Sequence, residues 1–234
     1  MKIKELSVFF PAYNEEKNIG KTIEKAVLIL PEISEKWELI IINDGSKDKT
    51  KDVVQKYVDK NKNIKIINHD PNRGYGAALK SGLYTSKYKW ITFTDSDGQF
   101  DFSEVVNFID KQNETNADLV IGYYRNRKVP FYRKINTFIW QMSVFILFGL
   151  KVRDIDCGFK LISKKVIDTI EPLESERGAF ISSELLIKSR KHNFSIVEIP
   201  TTHYPRVEGH GTGASLDVII QSFIDLFRLW VKLK

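Results

Sequence analysis

Trp90-Ile91-Thr92-Phe93-Thr94-Asp95-Ser96-Asp97-Gly98-Gln99 runs from an apolar segment directly into two acidic residues. The first four residues predict a short buried strand, and Asp95 and Asp97 follow it at positions i and i+2. Side chains two apart in an extended segment point the same way, so both carboxylates can face one cation. Carboxylate oxygens suit Mg²⁺ or Mn²⁺, which bridge protein carboxylates to substrate phosphates. Because ligands of open α/β sheets bind beyond the carboxyl ends of strands, the stretch predicts a metal–diphosphate site.

The same residues also fit a plain surface turn, because Asp97-Gly98 is a common turn pair. A calcium loop of the EF-hand type fits poorly, since the sixth position from Asp95, which requires glycine, is Phe100. The acidic pair alone therefore leaves a metal site and a turn both open.

Short apolar segments alternate with helical patterns through the first half of the chain. We expect strands at Leu6–Phe10, Leu39–Ile42, Ile64–Ile67, Trp90–Phe93 and Leu119–Ile121, and helices at Glu15–Leu30, Asp48–Asp59, Tyr75–Thr85 and Ser103–Gln112. The alternation predicts an α/β fold with a mostly parallel central sheet flanked by helices. Asn14 is expected to cap the first helix, and Ser46 or Asp48 the second.

The second half of the chain is more helical. We expect an apolar helix near 134–150, a strand at Phe159–Ile162, helices near Ser163–Ile170 and Ser182–Lys191, a strand at Ser195–Ile199 and a long terminal helix. The sequence contains no internal repeat, low-complexity tract or obvious linker. A single domain of two halves therefore fits better than two independent domains.

Polar or glycine-bearing loops follow four consecutive predicted strands. They are Pro11–Glu15, Asn43–Ser46, Asn72–Ala78 and Asp95–Asp97. The carboxyl ends of parallel strands share one edge of a sheet, so these loops should converge on one cleft. The third loop is not a dinucleotide fingerprint, because Leu79 stands where the third glycine would be.

Composition restricts the functional class only loosely. The 234 residues carry a formal charge of +6, and the lysine excess is spread over helix-like segments as a solvated surface. No signature of a nucleic-acid-binding protein is present. The lone Cys157 excludes an internal disulfide and fits a reducing compartment. No segment reaches the roughly 20 apolar residues that span a bilayer, although 137–150 and 218–231 could be core or interfacial helices.

Taken together, the loop motifs resemble those of family-2 glycosyltransferases with the GT-A-type fold, and among them the polyprenyl-phosphate sugar transferases of the dolichol-phosphate mannose synthase type. The resemblance covers nearly the whole chain. It is carried, in family order, by FFPAYNEEKNI (9–19), IIINDGSKDKT (40–50), NRGYGAALKSGL (72–83), FTDSDGQFD (93–101), RDIDCGFKLIS (153–163) and HYPRVEGHGTGAS (203–215). It implies a single domain over 1–234, with a nucleotide-sugar half at about 1–122 and an acceptor half at about 123–234.

The resemblance also implies roles for individual residues. The base and ribose of the nucleotide would be held by Pro11, Tyr13, Glu15 and Asp44. Gly76, Ser96 and His203 are further candidates for binding the nucleotide sugar, and a packed or exposed loop histidine is the alternative for His203. The metal, Mg²⁺ or Mn²⁺, would be bound by Asp95, Asp97 and Gln99. Arg206 would lie near the transferred phosphate, and the acceptor phosphate would be gripped by Arg125, Arg127 and Arg133. Surface salt bridging competes with that role, most strongly for Arg127.

The chemistry of the acceptor decides whether a base is needed. A phosphate monoester is largely dianionic at neutral pH and can attack without a base, but it needs positive charge to hold it. A sugar hydroxyl must lose a proton, and Glu184 is then the best candidate base, with Asp156 second. The arginines favour an inverting transfer to a polyprenyl phosphate.

Two other functions stay open at this point. One is transfer to a hydroxyl of a glycan or glycolipid, and the other is a non-catalytic protein that binds a nucleotide sugar or a membrane. By resemblance GDP-mannose is the first expected donor, with UDP-glucose close behind. A cytoplasmic location at the membrane surface is expected, without nucleic acid as a partner. The assembly state cannot be predicted.

Overall fold

The computed structural model describes residues 2–125, 131–176, 178–205 and 216–234, without the side chains of residues 131–134, 216 and 217. The strands are β1 (Ile3–Ala12), β2 (Ser34–Asp44), β3 (Ile64–His69), β4 (Trp90–Phe93), β5 (Leu119–Tyr124), β6 (Lys160–Ser163) and β7 (Ile196–Thr201). The helices are α1 (Ile19–Ile33), α2 (Thr50–Val58), α3 (Tyr75–Thr85), α4 (Val105–Thr115), α5 (Phe131–Phe148), α6 (Lys164–Thr169), α7 (Phe180–Lys191) and α8 (Leu216–Leu233). A short 3₁₀ turn, Phe102–Glu104, leads into α4.

All seven strands form one sheet in the order β3-β2-β1-β4-β6-β5-β7. The pairs β1–β2, β2–β3, β1–β4 and β5–β7 are parallel, as the alternation of strands and helices predicts. The exception is β6, which runs antiparallel between β4 and β5. This α/β architecture, with a mostly parallel sheet flanked by helices, agrees with the GT-A-type fold that the resemblance implies.

Alternate residues of the central strands supply two separate cores, one on each face of the sheet. Phe9 and Ile40 point to the face covered by α3, α5, α7 and α8, where Phe9 stacks on Phe93 with ring centroids 4.9 Å apart. Phe10 and Ile41 point to the face covered by α1 and α4. Burial on both faces is the reason these strands are continuously apolar rather than alternating.

The structure corrects the predicted start of the first helix. Helix α1 begins at Ile19 rather than at Glu15, so Asn14 does not cap it. Instead, Asn14 has a left-handed backbone (φ 55°), and its side-chain oxygen accepts a hydrogen bond from the Lys47 amide at 2.8 Å. Asparagine tolerates that conformation, and the contact ties the loop after β1 to the loop after β2.

Candidate active site

The carboxyl ends of β1, β2, β3 and β4 meet at one edge of the sheet, as the parallel pairing requires. At this edge β4 ends at Phe93, which pairs with Phe9 of β1 on one side and with Lys160 of β6 on the other. Because β6 is antiparallel, its beginning lies at the edge where β4 ends. The loop 154–159 therefore joins the loops that follow the parallel strands.

Asp95, Ser96 and Asp97 lie directly at this edge. The Ser96 hydroxyl donates to the Pro11 carbonyl at 2.6 Å, which fixes the turn after β4 against the end of β1. The Asp97 carboxylate is 6% exposed and accepts a hydrogen bond from the Gln99 amide at 3.0 Å. Asp95 is half-buried. The structure thus brings Pro11, Ser96 and the acidic pair together.

Asp95 is held from two sides. The Tyr75 hydroxyl, at the start of α3, donates to Asp95 Oδ1 at 2.9 Å. Burial, and then the charge of Asp95, raise the pKa of Tyr75 well above its usual range, so the hydroxyl stays protonated and acts as a donor. On the other side, a Cβ added to Gly158 would lie 2.6 Å from Asp95 Oδ2. Only glycine leaves room for the carboxylate there.

Lys160 is a buried lysine below the same edge. Its ammonium group donates to the Ile155 carbonyl at 3.3 Å and to the Cys157 carbonyl at a shorter distance, so it holds the 154–158 loop from within. Burial lowers the pKa of Lys160, and the neighbouring Cys157, Asp154 and Asp156 only partly offset this effect. The buried lysine thus ties the 154–158 loop to β6 beneath the acidic pair.

The loops after β1 and β2 are joined by reciprocal hydrogen bonds. The Glu15 amide donates to the Thr50 hydroxyl at 2.8 Å, and the Lys49 amide donates to the Glu16 carboxylate at 2.9 Å. The Glu15 carboxylate is buried and accepts from the Asn18 side chain at 2.8 Å, whereas Tyr13 is 38% exposed. Tyr13 is therefore more accessible to a nucleotide than Glu15, to which the same role was assigned.

Asp44 is buried at the end of β2 and organises the loop after β3. Its carboxylate lies 2.6 Å from His69 Nδ1 and accepts hydrogen bonds from the Asn72 side chain at 2.8 Å and from the Arg73 and Gly74 amides at 3.0 and 2.8 Å. These four contacts occupy both oxygens. The geometry therefore gives Asp44 a part in shaping the loop that precedes α3; its contact with a nucleotide stays a prediction.

Gln99 and His203 join the end of β4 to the segment after β7. The Gln99 side-chain amide donates to the Tyr204 carbonyl at 3.1 Å, and the Tyr204 amide donates back to the Gln99 carbonyl at 2.8 Å. His203 packs edge-on against Phe100 and Tyr124, with ring centroids 5.4 and 4.5 Å away. The segment that leads toward Arg206 thus starts beside the acidic pair.

The predicted arginines are only partly described. Arg125 is exposed just after β5, and its amide donates to the Thr201 carbonyl at 3.1 Å. Arg133 lies in the first turn of α5, and its side chain is outside the described part of the structure. Arg127 and Arg206 lie outside the described residues. Their grip on phosphate stays a prediction.

Glu184 is placed as a structural carboxylate. It is 1% exposed and accepts hydrogen bonds from the Glu174 and Ser175 amides, both at 2.9 Å. The buried Lys188 ammonium, one turn later on α7, donates to it at 2.6 Å and to the Pro172 carbonyl at 2.7 Å. A buried carboxylate with these partners is poorly placed to take a proton from an acceptor, so the geometry lends the expected base role no support.

Gly76 has a packing role at the start of α3. An added Cβ would lie 2.8 Å from the backbone of Glu176, whose carbonyl accepts a hydrogen bond from the Ala77 amide at 3.0 Å. The close approach of segment 174–176 to α3 accounts for the glycine without a ligand.

The donor atoms at the edge fit a hard divalent cation. Asp95 and Asp97 offer carboxylate oxygens, and the Thr94 hydroxyl beside them is buried with no hydrogen-bonding partner among the described residues. Within the described ranges no group of three or more acidic, histidine or cysteine side chains is placed to hold an ion. Mg²⁺ commonly takes one or two carboxylates from a protein when substrate phosphates also bind it, and the acidic pair fits that use.

The roles of two residues of the site, Tyr75 and Lys160, could not be predicted from the sequence. Tyr75 stands in the glycine-bearing loop after β3, and that position is a signal, but its contact with Asp95 depends on how α3 packs. Lys160 is the fully buried first residue of β6, a position where lysine is unusual, and its role depends on the carbonyls that surround it.

Comparison with known proteins gives the family. The model of glycosyl transferase family 2 matches residues 7–171, which is more than half of the chain. The chain is 33% identical over 222 residues to a dolichyl-phosphate beta-glucosyltransferase of Dictyostelium discoideum, covering 87% of this chain and 67% of that protein. It is 28% identical over 235 residues to a dodecaprenyl-phosphate galacturonate synthase of Rhizobium johnstonii, covering 97% and 68%.

The fold also matches a solved structure. Glucosyl-3-phosphoglycerate synthase from Mycobacterium tuberculosis, in complex with Mn²⁺, uridine diphosphate and phosphoglyceric acid, superposes with a TM-score of 0.73 at 18% identity. The match covers 97% of this chain and 78% of the other. At this level of identity the likeness concerns the fold.

Proposed function

The chain belongs to glycosyl transferase family 2, and from that premise we propose that it transfers a glucose-type sugar from a nucleotide diphosphate sugar to a polyprenyl phosphate. The chain is a glycosyltransferase; the donor, the acceptor and the dependence on a metal are the proposed parts. The observation that carries the proposal is the acidic pair Asp95 and Asp97 at the edge where the loops after four parallel strands converge.

The names of the relatives support the choice of donor. Both matched relatives act on a polyprenyl-type phosphate, and the first is a glucosyltransferase. The structural neighbour was crystallised with Mn²⁺ and UDP. We therefore place UDP-glucose ahead of GDP-mannose, which reverses the order expected from the sequence.

In this proposal Asp95 and Asp97 would hold a divalent cation, Mg²⁺ or Mn²⁺, at the place of the donor diphosphate. When bound, the cation neutralises the negative charge that develops on the leaving diphosphate. Ser96 keeps the pair in register with β1 through its hydrogen bond to Pro11. Gly158 leaves room for Asp95. The residues of the chain thus orient the donor before the reaction begins.

The acceptor is proposed from the residues on the other side of the edge. Arg125 is exposed at the end of β5, next to the segment that leads into α5. A phosphate dianion attacks the anomeric carbon while the bond from that carbon to the diphosphate breaks, and no proton has to be removed. Because this reaction needs no base, it is consistent with a Glu184 carboxylate that is already hydrogen-bonded to two backbone amides and a lysine.

A lipid acceptor also calls for contact with a membrane surface. Apolar side chains of α5 and α8 are exposed, among them Phe138 (62%) and Ile146 (70%) on α5 and Phe227 (58%) on α8. The two helices touch through Trp140 and Phe223, whose ring centroids are 5.1 Å apart. No described helix combines the length and apolarity needed to cross a bilayer. We propose that this face lies on the membrane surface.

The test is product formation from defined substrates. Purified protein is incubated with MnCl₂, a short polyprenyl phosphate and either UDP-glucose or GDP-mannose, and the lipid product is identified by mass spectrometry. We expect glucosyl transfer from UDP-glucose, its loss on chelation of divalent ions, and its return with Mn²⁺ or Mg²⁺. Asp97→Asn should lower kcat/KM at least about a hundredfold, since preorganised charge stabilisation is usually that large.

Asp110→Asn is the matched control, because Asp110 is exposed on α4, away from the edge. It should retain full activity. Transfer to hydroxyl acceptors but not to polyprenyl phosphate would overturn the proposed acceptor. Donor binding without product from any acceptor would favour a non-catalytic binding protein.

A further inference from the structure

Tyr75 makes a contact with the acidic pair that the proposed chemistry does not use. Its hydroxyl donates to Asp95 Oδ1 at 2.9 Å from the first residue of α3. We propose that Tyr75 is a positioning residue that fixes the Asp95 carboxylate in the orientation needed to bind the donor. This inference rests on the proposed function, since it assumes that Asp95 faces the donor diphosphate and its cation.

The start of α3 is rigid enough to aim the hydroxyl. The Ala77 amide donates to the Glu176 carbonyl at 3.0 Å, and Gly76 lies against the backbone of the same segment. That segment is in turn held by the buried Glu184, which accepts hydrogen bonds from the Glu174 and Ser175 amides. Tyr75 is thus anchored from behind by α7.

The loop before α3 is fixed as well. Asp44 accepts hydrogen bonds from the amides of Arg73 and Gly74, the two residues before Tyr75. Gly74 has φ 99°, a backbone conformation that suits glycine and lets the chain turn into the helix. Tyr75 therefore approaches Asp95 from a backbone held on both sides of it in sequence.

The carboxylate is confined between Tyr75 and Gly158. The hydroxyl engages Oδ1, and the backbone of Gly158 lies against Oδ2. Without the hydroxyl, Asp95 would gain rotational freedom that must be lost again on binding. Hydrogen bonds to charged groups are among the stronger ones, so removal of this bond should cost about tenfold in affinity.

Tyr75→Phe removes one oxygen and leaves the ring in place. The wild-type protein and the variant are titrated with UDP in the presence of Mn²⁺ by isothermal calorimetry, with GDP in parallel. We expect the dissociation constant of the variant to be about tenfold larger, which corresponds to a loss of about 1.4 kcal/mol of binding free energy. The control is Tyr57→Phe, because the Tyr57 hydroxyl donates to the Glu24 carboxylate at 2.6 Å on the surface between α1 and α2.

Steady-state kinetics separate positioning from a general loss of structure. In Tyr75→Phe the KM for the nucleotide sugar and the Mn²⁺ concentration for half activation should both rise about tenfold. The KM for polyprenyl phosphate and the melting temperature should stay close to the wild-type values. A defect of the whole fold would instead raise both KM values and lower the melting temperature.

The outcomes are distinguishable. If the wild-type protein binds neither nucleotide, the proposed function fails and this inference fails with it. If the wild-type protein binds UDP with Mn²⁺ and Tyr75→Phe binds it equally well, the positioning role is wrong and the proposed function stands. An equal loss in Tyr57→Phe would likewise overturn the assignment to Asp95.

Discussion

At the scale of single residues, the position of Asp95 at the sheet edge depends on a residue that leaves space for it as much as on residues that form hydrogen bonds. Asp95 occupies a space that is open only because residue 158 has no side chain. Ser96 and Tyr75 then supply the hydrogen bonds that define where the turn and the carboxylate lie. Two of these three residues, Gly158 and Tyr75, would not enter a catalytic mechanism, yet each constrains Asp95.

The substitution Gly158→Ala should therefore damage the site without touching a polar group. The new Cβ would lie 2.6 Å from Asp95 Oδ2 and 3.0 Å from Cγ, so the carboxylate has to move. We expect at least a tenfold fall in kcat/KM for the nucleotide sugar, measured by product formation.

Gly20→Ala is the control for that substitution. The atoms nearest to its added Cβ would belong to the Tyr57 side chain, with the hydroxyl at 3.2 Å, and to the Val53 side chain. It lies on α1 and should leave activity unchanged. A Gly158→Ala protein with wild-type kcat/KM would show that the position of Asp95 is not critical.

At the scale of elements, α7 carries a buried ion pair that anchors the segment before it. Glu184 and Lys188 lie one turn apart and together engage the backbone at Pro172, Glu174 and Ser175. That segment caps the start of α3 through Glu176. The pair therefore connects the packing of α7 to the loop beside Asp95.

Glu184→Gln should act mainly on stability. It removes the charge that pairs with Lys188 and leaves a buried ammonium uncompensated, which costs about 3–5 kcal/mol of the free energy of unfolding. Denaturant titration measures this loss. The Lys188→Met protein should lose a similar amount of the free energy of unfolding.

Activity then separates this structural role from a base. Well below the melting temperature, the kcat of Glu184→Gln should stay within about tenfold of the wild-type value. Loss of a general base costs about 10²- to 10⁴-fold. A variant as stable as the wild-type protein but inactive would restore Glu184 as a candidate base.

Elements were predictable where the signal is local. Trp90–Phe93 and Tyr75–Thr85 have the bounds expected from the sequence, because a short apolar run and a glycine before a helix mark them clearly. The strand β2 is longer than predicted, since the polar Glu38 interrupts its pattern. In the fold Glu38 is buried and accepts hydrogen bonds from Ser7 and Lys65, partners far away in sequence.

In the candidate site, too, residues with a local sequence signal could be predicted, and residues that depend on distant neighbours could not. Asp95 and Asp97 could be selected from sequence because their spacing and their place after a strand are local properties. The direction of β6 could not, since a strand of four residues has the same sequence pattern in parallel and antiparallel pairing. Tyr75, Lys160 and the buried state of Glu184 depend on distant neighbours, which a single sequence does not specify.

At the scale of the whole molecule, the two faces of the sheet differ in what surrounds them. The exposed apolar side chains of α5 and α8 lie on the face opposite α1. Leu28, on α1, is also exposed, at 76%, but it belongs to the other face. A protein that works on a lipid phosphate would use the α5–α8 face to approach the bilayer.

Vesicle flotation tests this orientation. The double variant Ile146→Asp/Phe227→Asp should bind vesicles that contain an anionic phospholipid and polyprenyl phosphate at least about tenfold less than the wild-type protein, since each apolar side chain contributes roughly 1.5–3 kcal/mol when buried. Leu28→Asp should float like the wild-type protein. Equal flotation of all three proteins would contradict the orientation.

The antiparallel strand β6 has a consequence for anyone recombining parts of related enzymes. It lies between β4 and β5, and the Thr92 hydroxyl donates to the Lys160 carbonyl across the β4–β6 pair. A chimera spliced near residue 122 would therefore place strands from different parents side by side in the middle of the sheet. A splice after Ser163 takes β4, β5 and β6 from the same parent. Strands from different parents then meet only where the outer strand β7 pairs with β5.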